Sequence, residues 1–362
     1  METARAIARL AAGKDLADAD LRALVELEEP AGIARLLAAA DETRRRTVGD
    51  AVHLRGLIEF SNYCRADCLY CGLRRSNGRL VRYRLSLEEI EAVIDRAAAL
   101  DYGTVVLQSG EDPWYDADAI ARLIRYAKAR SLAVTLSVGE RDREELAHWR
   151  RQGADRYLLR HETANPTLHA RLRPGRTLVE RVRVLENVRE LGFQVGSGFM
   201  VGLPGQSSAD LVGDLRLLQE LKVEMAGIGP FIPHPATPLA GAEAGSMGQT
   251  LKMVALARLL LPEAMLPAVT ALGALEPLGR EQALQAGANV VMPNLTPTAV
   301  RPHYQIYPGK ICLGETAEKC RACVERRIQG LGRTVARGPG HAPGWDYRRL
   351  PQFSQEGEAH DD

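Results

Sequence analysis

Short runs rich in β-branched and apolar residues alternate with longer amphipathic stretches from residue 51 onward, and this constrains the chain more than any other feature. The runs are VHLRGLIEF (52–60), TVVLQ (104–108), AVTLSVG (133–139), RYLLRH (156–161), QVGSGFMVG (194–202), MAGIGPFI (225–232), LPAVTA (266–271) and ANVVMP (288–293). Such alternation is the pattern of successive βα units around a parallel sheet. Eight of them predict an α/β fold, a complete (βα)8 TIM-type barrel. Helical patterns lie between the runs: SLEEIEAVIDRAAAL opens with a Ser86/Glu89 capping box, and SADLVGDLRLLQELK follows the turn-forming LPGQS. The sequence divides into an N-terminal helical cap (1–50), the barrel (51–307), a C-terminal segment (308–332) and a tail (333–362) that loses apolar periodicity and reads as mobile.

The chain has 47 Lys and Arg against 46 Asp and Glu, a net charge of +1, which leaves no cationic surplus to follow a phosphate backbone. Nucleic acid is therefore not an expected partner. Arg5 and Arg9 interrupt the apolar stretch at the start, as a secretory signal would not, and no apolar run approaches the roughly 18–20 residues of a membrane span. The reading is a soluble, cytoplasmic protein. Six cysteines in a long chain without an export signal favour metal ligation over disulfides. They fall into two triplets, Cys64/Cys68/Cys71 and Cys312/Cys320/Cys323, which suggests two separate inorganic sites.

The first triplet has the spacing C-x3-C-x2-C and follows the first barrel run, at the end where parallel barrels place their chemistry. Three thiolates are one short for a four-iron cluster, so one iron is left open to an outside ligand. S-adenosyl-L-methionine (SAM) can chelate that iron of a [4Fe-4S] cluster through its amino and carboxylate groups. One transferred electron then yields a 5′-deoxyadenosyl radical, which a barrel lumen shields from water. Structural zinc is the competing reading, but it takes four protein ligands and usually shows paired C-x2-C spacing.

Polar residues at the ends of the next runs are candidates to hold SAM. In the Ser109-Gly110-Glu111 turn, Gly110 allows backbone to approach a ligand and Glu111 can accept from an ammonium. Ser137 ends the third run, and Arg160, His161 and Glu162 end the fourth. Glu162 can bind ribose hydroxyls, Arg181 can pair with the SAM carboxylate, and Arg160 can reach a substrate anion. Standing alone, Arg181 would be an ordinary charged helix residue and His161 a packed histidine.

With these residues the chain resembles the HydE family of [FeFe]-hydrogenase maturases, radical SAM proteins related to biotin synthase and methylornithine synthase. The segments that carry the resemblance span almost the whole chain and include RGLIEFSNYCRADCLYCGLR, VVLQSGEDP, VTLSVGE, ADRYLLRHETANPTLHARLRP, MVGLPGQ, GIGPFIPHPATPLA and YQIYPGKIC. It implies a SAM-bearing cluster at the top of the barrel and a closed cavity for a small anionic or organometallic substrate. It also implies SAM contacts from Ser137, Glu162 and Arg181, joined by Tyr70 and Ser109-Gly110-Glu111. As cavity candidates it directs attention to Arg55, Gln108, Thr135, Arg160, Met225, Thr270, Met292, Tyr304 and Tyr307. Met225 and Met292 read as packing, whereas a buried guanidinium or phenol needs a partner.

The second triplet, C-x7-C-x2-C, resembles an auxiliary cluster site found in some members of the family. It would take a [2Fe-2S] or [4Fe-4S] cluster, with a place near the chain's end that suggests a peripheral site. The implied role is attack of the radical on a small sulfur-bearing substrate during assembly of the dithiolate-bridged di-iron subcluster. The sister maturases HydG and HydF and an electron donor are the implied partners. Two other readings stand beside it: another radical SAM enzyme of the biotin or methylornithine synthase type, and a non-catalytic iron-sulfur carrier or scaffold.

Overall fold

A computed structural model describes residues 3–345. Three helices come first, α1 (Thr3–Ala11), α2 (Asp18–Val25) and α3 (Pro30–Val48). Pro30 supplies a helical φ at the first turn of α3, and the Glu29 carboxylate accepts from Ala31 N and Gly32 N.

The strands are β1 (Ala51–Leu54), β2 (Gly56–Ser61), β3 (Thr104–Ser109), β4 (Ala133–Ser137), β5 (Arg156–Leu158), β6 (Gln194–Ser197), β7 (Met200–Val201), β8 (Met225–Ala226), β9 (Gly229–Pro230), β10 (Val290–Val291) and β11 (Thr334–Val335). The helices that alternate with them are α4 (Leu87–Ala99), α5 (Ala117–Lys128), α6 (Arg143–Arg151), α7 (Pro166–Leu172), α8 (Leu178–Glu190), α9 (Ser208–Glu220), α10 (Met247–Leu260), α11 (Thr270–Leu275), α12 (Gly279–Gln285) and α13 (Ala317–Gly330). The parallel order β2-β3-β4-β5-β6-β8 continues through single bridges, Met225 to Met265 and Pro267 to Val290. From there β10 pairs with β1, and Asn294 bridges to Leu57 in β2, so the pairing returns to its start. Ile58, Phe60, Val105, Leu107, Val134 and Leu136 are fully buried along these strands.

Three of the predicted runs divide, the first of them at Arg55 between β1 and β2. The fifth breaks after Ser197 and the sixth after Ala226, and the two second halves pair with each other as β7 and β9. The seventh run, 266–271, forms no regular strand. Pro267 has no N–H for a ladder, and Thr270 already begins α11.

The cap lies against α10, whose residues Thr250–Leu259 are all buried. A helix apolar all round is what a position between two layers requires. Lys252 Nζ donates to Val25 O and Leu27 O, both at 2.8 Å, and so closes the C-terminal end of α2.

The expectation of a mobile tail from 333 fails over its described part. β11 pairs with β1, and Arg333 donates to Asp50 O, Leu284 O and Ala288 O. Beyond it the chain crosses the N-terminal end of the barrel. Thr104 and Arg156 donate to Pro339 O, Arg55 donates to Gly340 O, and Gln194 accepts from Ala342 N. Inward polar side chains at the barrel floor need partners, and the segment supplies them from its backbone. Residues 346–362 of the predicted tail lie outside the described residues. Among the described residues no helix is long and apolar enough to cross a membrane.

Candidate functional site

The cysteine loop follows β2 and carries its own bracing. Arg82 turns inward and donates to the carbonyls of Asn62, Leu73 and Arg74. Asn62 Nδ2 donates to Val81 O and His303 O, Arg74 pairs with Asp67 through two bonds, and Arg75 N donates to Ala66 O. The loop so held brings Cys64, Cys68 and Cys71 to one cavity of about 330 Å³. Burial pushes the Cys64 thiol up to about 11 and raises Cys71 further, with the neighbouring thiols adding to the effect at Cys71. Thiolates here need compensating positive charge, which the irons of a cluster provide. Among the described residues no three His, Cys, Asp or Glu side chains converge on a single ion position. Three thiols lining one cavity suit a multi-iron cluster, whose ligands attach at different corners.

The next strand ends close around this loop. Gly110 N donates to Ser61 O at 3.1 Å and Glu111 N to Cys64 Sγ at 3.4 Å. A Cβ on Gly110 would run into the Tyr63 carbonyl oxygen and lie 2.8 Å from Cys64 Cβ. The glycine thus lets the second strand end press directly on the cysteine loop. At the end of β4, Gly139 has φ +82° and faces the Glu111 side chain where a Cβ would collide with it.

Glu111 and its neighbours form a buried ionic group that the sequence reading only partly found. Arg181 and Arg173 lie 2.9 and 3.0 Å from Glu140, and Arg176 lies 3.2 Å from Glu140 and 3.4 Å from Glu111. The three guanidinium groups hold the Glu140 carboxyl below its ordinary value even though burial alone would raise it. Glu140, Arg173 and Arg176 were not singled out, although Glu140 ends the VTLSVGE segment.

Glu162 has φ +69°, a conformation side chains other than glycine rarely take, held by Glu162 N to Gly198 O and Met200 N to Glu162 O. Its Oε2 is buried without a hydrogen-bond partner, 3.4 Å from Arg160 Nε. A buried, unmet acceptor on a strained residue fits a ligand hydroxyl. His161, fully buried, has Nδ1 3.0 Å from Ser197 Oγ and Nε2 3.5 Å from Asp214, so it braces the strand end from behind.

All the residues predicted to hold SAM line the cavity: Tyr70, Ser109, Gly110, Glu111, Ser137, Arg160, Glu162 and Arg181. Of the substrate candidates, Gln108, Thr270, Met292, Tyr304 and Tyr307 line it too, with Gln108 Nε2 3.3 Å from Tyr304 Oη. Arg55 and Thr135 do not. Arg55 reaches Met225 Sδ and Gly340 O at the barrel floor, and Thr135 Oγ1 is buried without a partner. Met225 packs with Met265 and Val290, as expected of a core methionine.

The opposite wall contains a buried ion pair that the sequence reading missed. Lys310 Nζ lies 2.6 Å from Glu59 Oε1 and 3.1 Å from Tyr304 O, while Asn294 donates to Glu59 Oε2 at 2.8 Å. Both members of the pair line the cavity.

The second triplet is not peripheral to this space. Cys320 and Cys323 stand one turn apart on α13, Cys312 precedes it in a loop at φ +61°, and Cys312 and Cys320 line the cavity. Arg301 fixes that loop by donating to Cys312 O and Glu315 O. A hydrogen bond with Cys320, and then the Arg280 charge, bring the Cys312 thiol down to about 6. Cys323 does not line the cavity.

A parallel barrel with three cysteines on the loop after its first strand defines the radical SAM class, and the radical SAM superfamily pattern matches residues 58–218. The [FeFe] hydrogenase maturase subunit HydE of Thermotoga maritima is 54% identical over 305 residues, 83% of this chain and 87% of that protein. The 3-methylornithine synthase of Methanosarcina barkeri is 30% identical over 328 residues, 90% and 92% of the two chains. A crystal structure of methylornithine synthase superposes with a TM-score of 0.80 at 29% identity, covering 92% of this chain and 97% of that one. The chain belongs to the HydE family of radical SAM enzymes, and membership implies a [4Fe-4S] cluster and SAM.

Proposed function

We propose that this enzyme cleaves SAM reductively and directs the resulting radical at a small sulfur-bearing substrate, in assembly of the dithiolate-bridged di-iron subcluster of [FeFe]-hydrogenase. The observation that carries the reading is the single cavity running from the three thiols to the polar wall of Gln108, Tyr304, Tyr307 and Lys310. Its place beside a 54% identical HydE supplies the maturation context, with HydG and HydF as the proteins before and after it.

In this reading Cys64, Cys68 and Cys71 hold the cluster, which when bound supplies an open iron for SAM and the electron that splits it. Glu162 accepts from the ribose hydroxyls through its unmet oxygen. Glu111 and Ser109 receive the methionine ammonium, and Arg181 shares its guanidinium between Glu140 and the methionine carboxylate. Tyr70 packs at this end, and Arg160 stands between SAM and substrate. Gln108, Thr270, Tyr304 and Tyr307 line the substrate end, where the barrel wall excludes water and stray hydrogen donors. Cys312, Cys320 and Cys323 form a second cluster site at the edge of the same space.

Cys68→Ala in the anaerobically reconstituted enzyme should abolish 5′-deoxyadenosine formation while leaving the barrel folded. Retained cleavage would overturn the assignment. Supplying candidate substrates to the reconstituted enzyme distinguishes the maturase from a methylornithine- or biotin-synthase-type activity. A carrier or scaffold would release no 5′-deoxyadenosine at all. The unmet Glu162 oxygen and the charged ring around Glu140 argue against that last reading, because a carrier has no use for them.

A further inference from the structure

The cysteine loop is strongly basic on its outer side. Residues 63–84 contain Arg65, Arg74, Arg75, Arg79, Arg82 and Arg84 against the lone acid Asp67, in a chain whose net charge is only +1. Much of this charge is spoken for. Arg74 pairs with Asp67 at 2.8 Å, Arg84 with Asp112 at 2.7 Å, Arg65 lies 3.4 Å from Glu111, and Arg82 is turned onto carbonyls. Arg75 and Arg79 are exposed, and among the described residues they have no carboxylate partner.

Two large apolar side chains stand out of the same region, Trp114 at 56% and Val81 at 59% exposure. A stack leads from Trp114 to the cysteine loop. The Arg84 guanidinium lies 3.7 Å over the Tyr63 ring and 5.6 Å from the Trp114 ring, and Tyr63 immediately precedes Cys64. Of the acids nearby, Asp112 pairs with Arg84 and Asp116 caps α5 through Ala119 N, while Asp118 is exposed beside His148.

An exposed tryptophan among arginines is the composition of an interface centre, and free cations at its edge select an acidic partner. Two unpaired arginines are too few for a nucleic-acid backbone. A second copy of this chain docking by a two-fold axis would gather four unpaired arginines into one interface. The reaction proposed above needs one electron from outside, and the cysteine loop is the wall between this face and the thiols, with Arg75 N bonded to Ala66 O inside the Cys64–Cys71 turn. We propose that the face formed by Trp114, Val81, Arg75 and Arg79 is the docking site of an acidic one-electron carrier protein. The reduced flavin or iron-sulfur centre of the carrier is oxidised by one electron, which passes to the cluster; no bond forms or breaks in this step. The proposal rests on the reductive reading of the site.

The test uses the reconstituted holoenzyme, its R75E/R79E variant and Trp114→Ala, with a flavodoxin as carrier. Calorimetric titration with oxidised flavodoxin should show binding that weakens with salt in the parent, and that is weaker by about tenfold or more in R75E/R79E. Trp114→Ala should weaken it as well. The rate of 5′-deoxyadenosine formation with reduced flavodoxin should fall in step, while the rate with dithionite stays unchanged. Equal binding by all three proteins overturns the proposal. So does an equal loss with dithionite, which would place these residues in the site itself, or a change in self-association seen by sedimentation. If neither reductant yields 5′-deoxyadenosine with the parent, the reductive reading fails, and the titration still reports separately on docking.

Discussion

Replacing Gly110 by alanine tests whether the second strand end must touch the cysteine loop for the site to exist. The new Cβ would overlap the Tyr63 carbonyl oxygen and sit 2.8 Å from Cys64 Cβ. Neither neighbour is the free end of a flexible chain, so relief requires a backbone shift on the order of 1 Å, and overpacking of this kind costs about 1–3 kcal/mol. The shift also strains two bonds, Gly110 N to Ser61 O and Glu111 N to Cys64 Sγ, and losing the first adds roughly 1 kcal/mol. A total of about 2–4 kcal/mol corresponds to a fall of roughly 3–5 °C in melting temperature for a chain of 362 residues. Iron and sulfide bound per chain after reconstitution should drop with it, because Cys64 is carried out of register with Cys68 and Cys71. Gly78→Ala is the control: it lies in the same loop, and a Cβ there meets nothing within 4 Å. A Gly110→Ala protein with parental melting temperature and full iron content would refute the contact argument.

Glu162→Gln should weaken SAM binding about 10- to 100-fold, the loss expected for hydrogen bonds to a charged acceptor, with iron content unchanged; titration of the reconstituted protein reads this directly. Lys310→Met leaves the Glu59 carboxylate buried and unpaired, and should cost about 3–5 kcal/mol in denaturant unfolding, whereas the E59Q/K310M pair should recover much of that loss. Burial, and then nearby arginines, bring His53, His169 and His341 down to about 4. Between about 4 and the unfolded value of 6.5 the unfolded chain therefore binds more protons, so stability is full above that window and falls as the pH is lowered through it. The limiting slope for each group is ~1.4 kcal/mol per pH unit. Melting temperatures at pH 7.5 and pH 5 check the sign, and a higher value at pH 5 would contradict it.

The parts of the fold that could be read in advance are those where side-chain period and secondary structure agree. The runs at 104–108 and 133–139 are rich in β-branched residues and buried, and they form β3 and β4 within two residues of expectation. The run at 266–271 has the same composition, but Pro267 cannot donate to a ladder, and its part in the ring is reduced to isolated bridges. The covering of the barrel floor by residues after 333 was hidden for a different reason. It is made through the carbonyls of Pro339 and Gly340, which carry no side-chain signal.

The same distinction divides the site. The cysteines and the strand-end residues Ser109, Ser137 and Glu162 were legible because barrel geometry sends every strand end to one mouth. Arg55 and Thr135 also point inward, but alternation along a strand gives the face and not the depth. Both sit too far from the mouth, and Arg55 meets the floor segment instead. Glu140, Arg173 and Arg176 were missed because each is an ordinary charge in its own segment; only the folded chain brings three arginines onto two carboxylates. Lys310 and Cys312 show the converse error of reading distance along the chain as distance in space. The segment after the last barrel strand folds back over the mouth, so a triplet near the end of the sequence borders the cavity of the first. A second cluster there would border the same cavity as the first, beside Arg280, Tyr307 and Lys310.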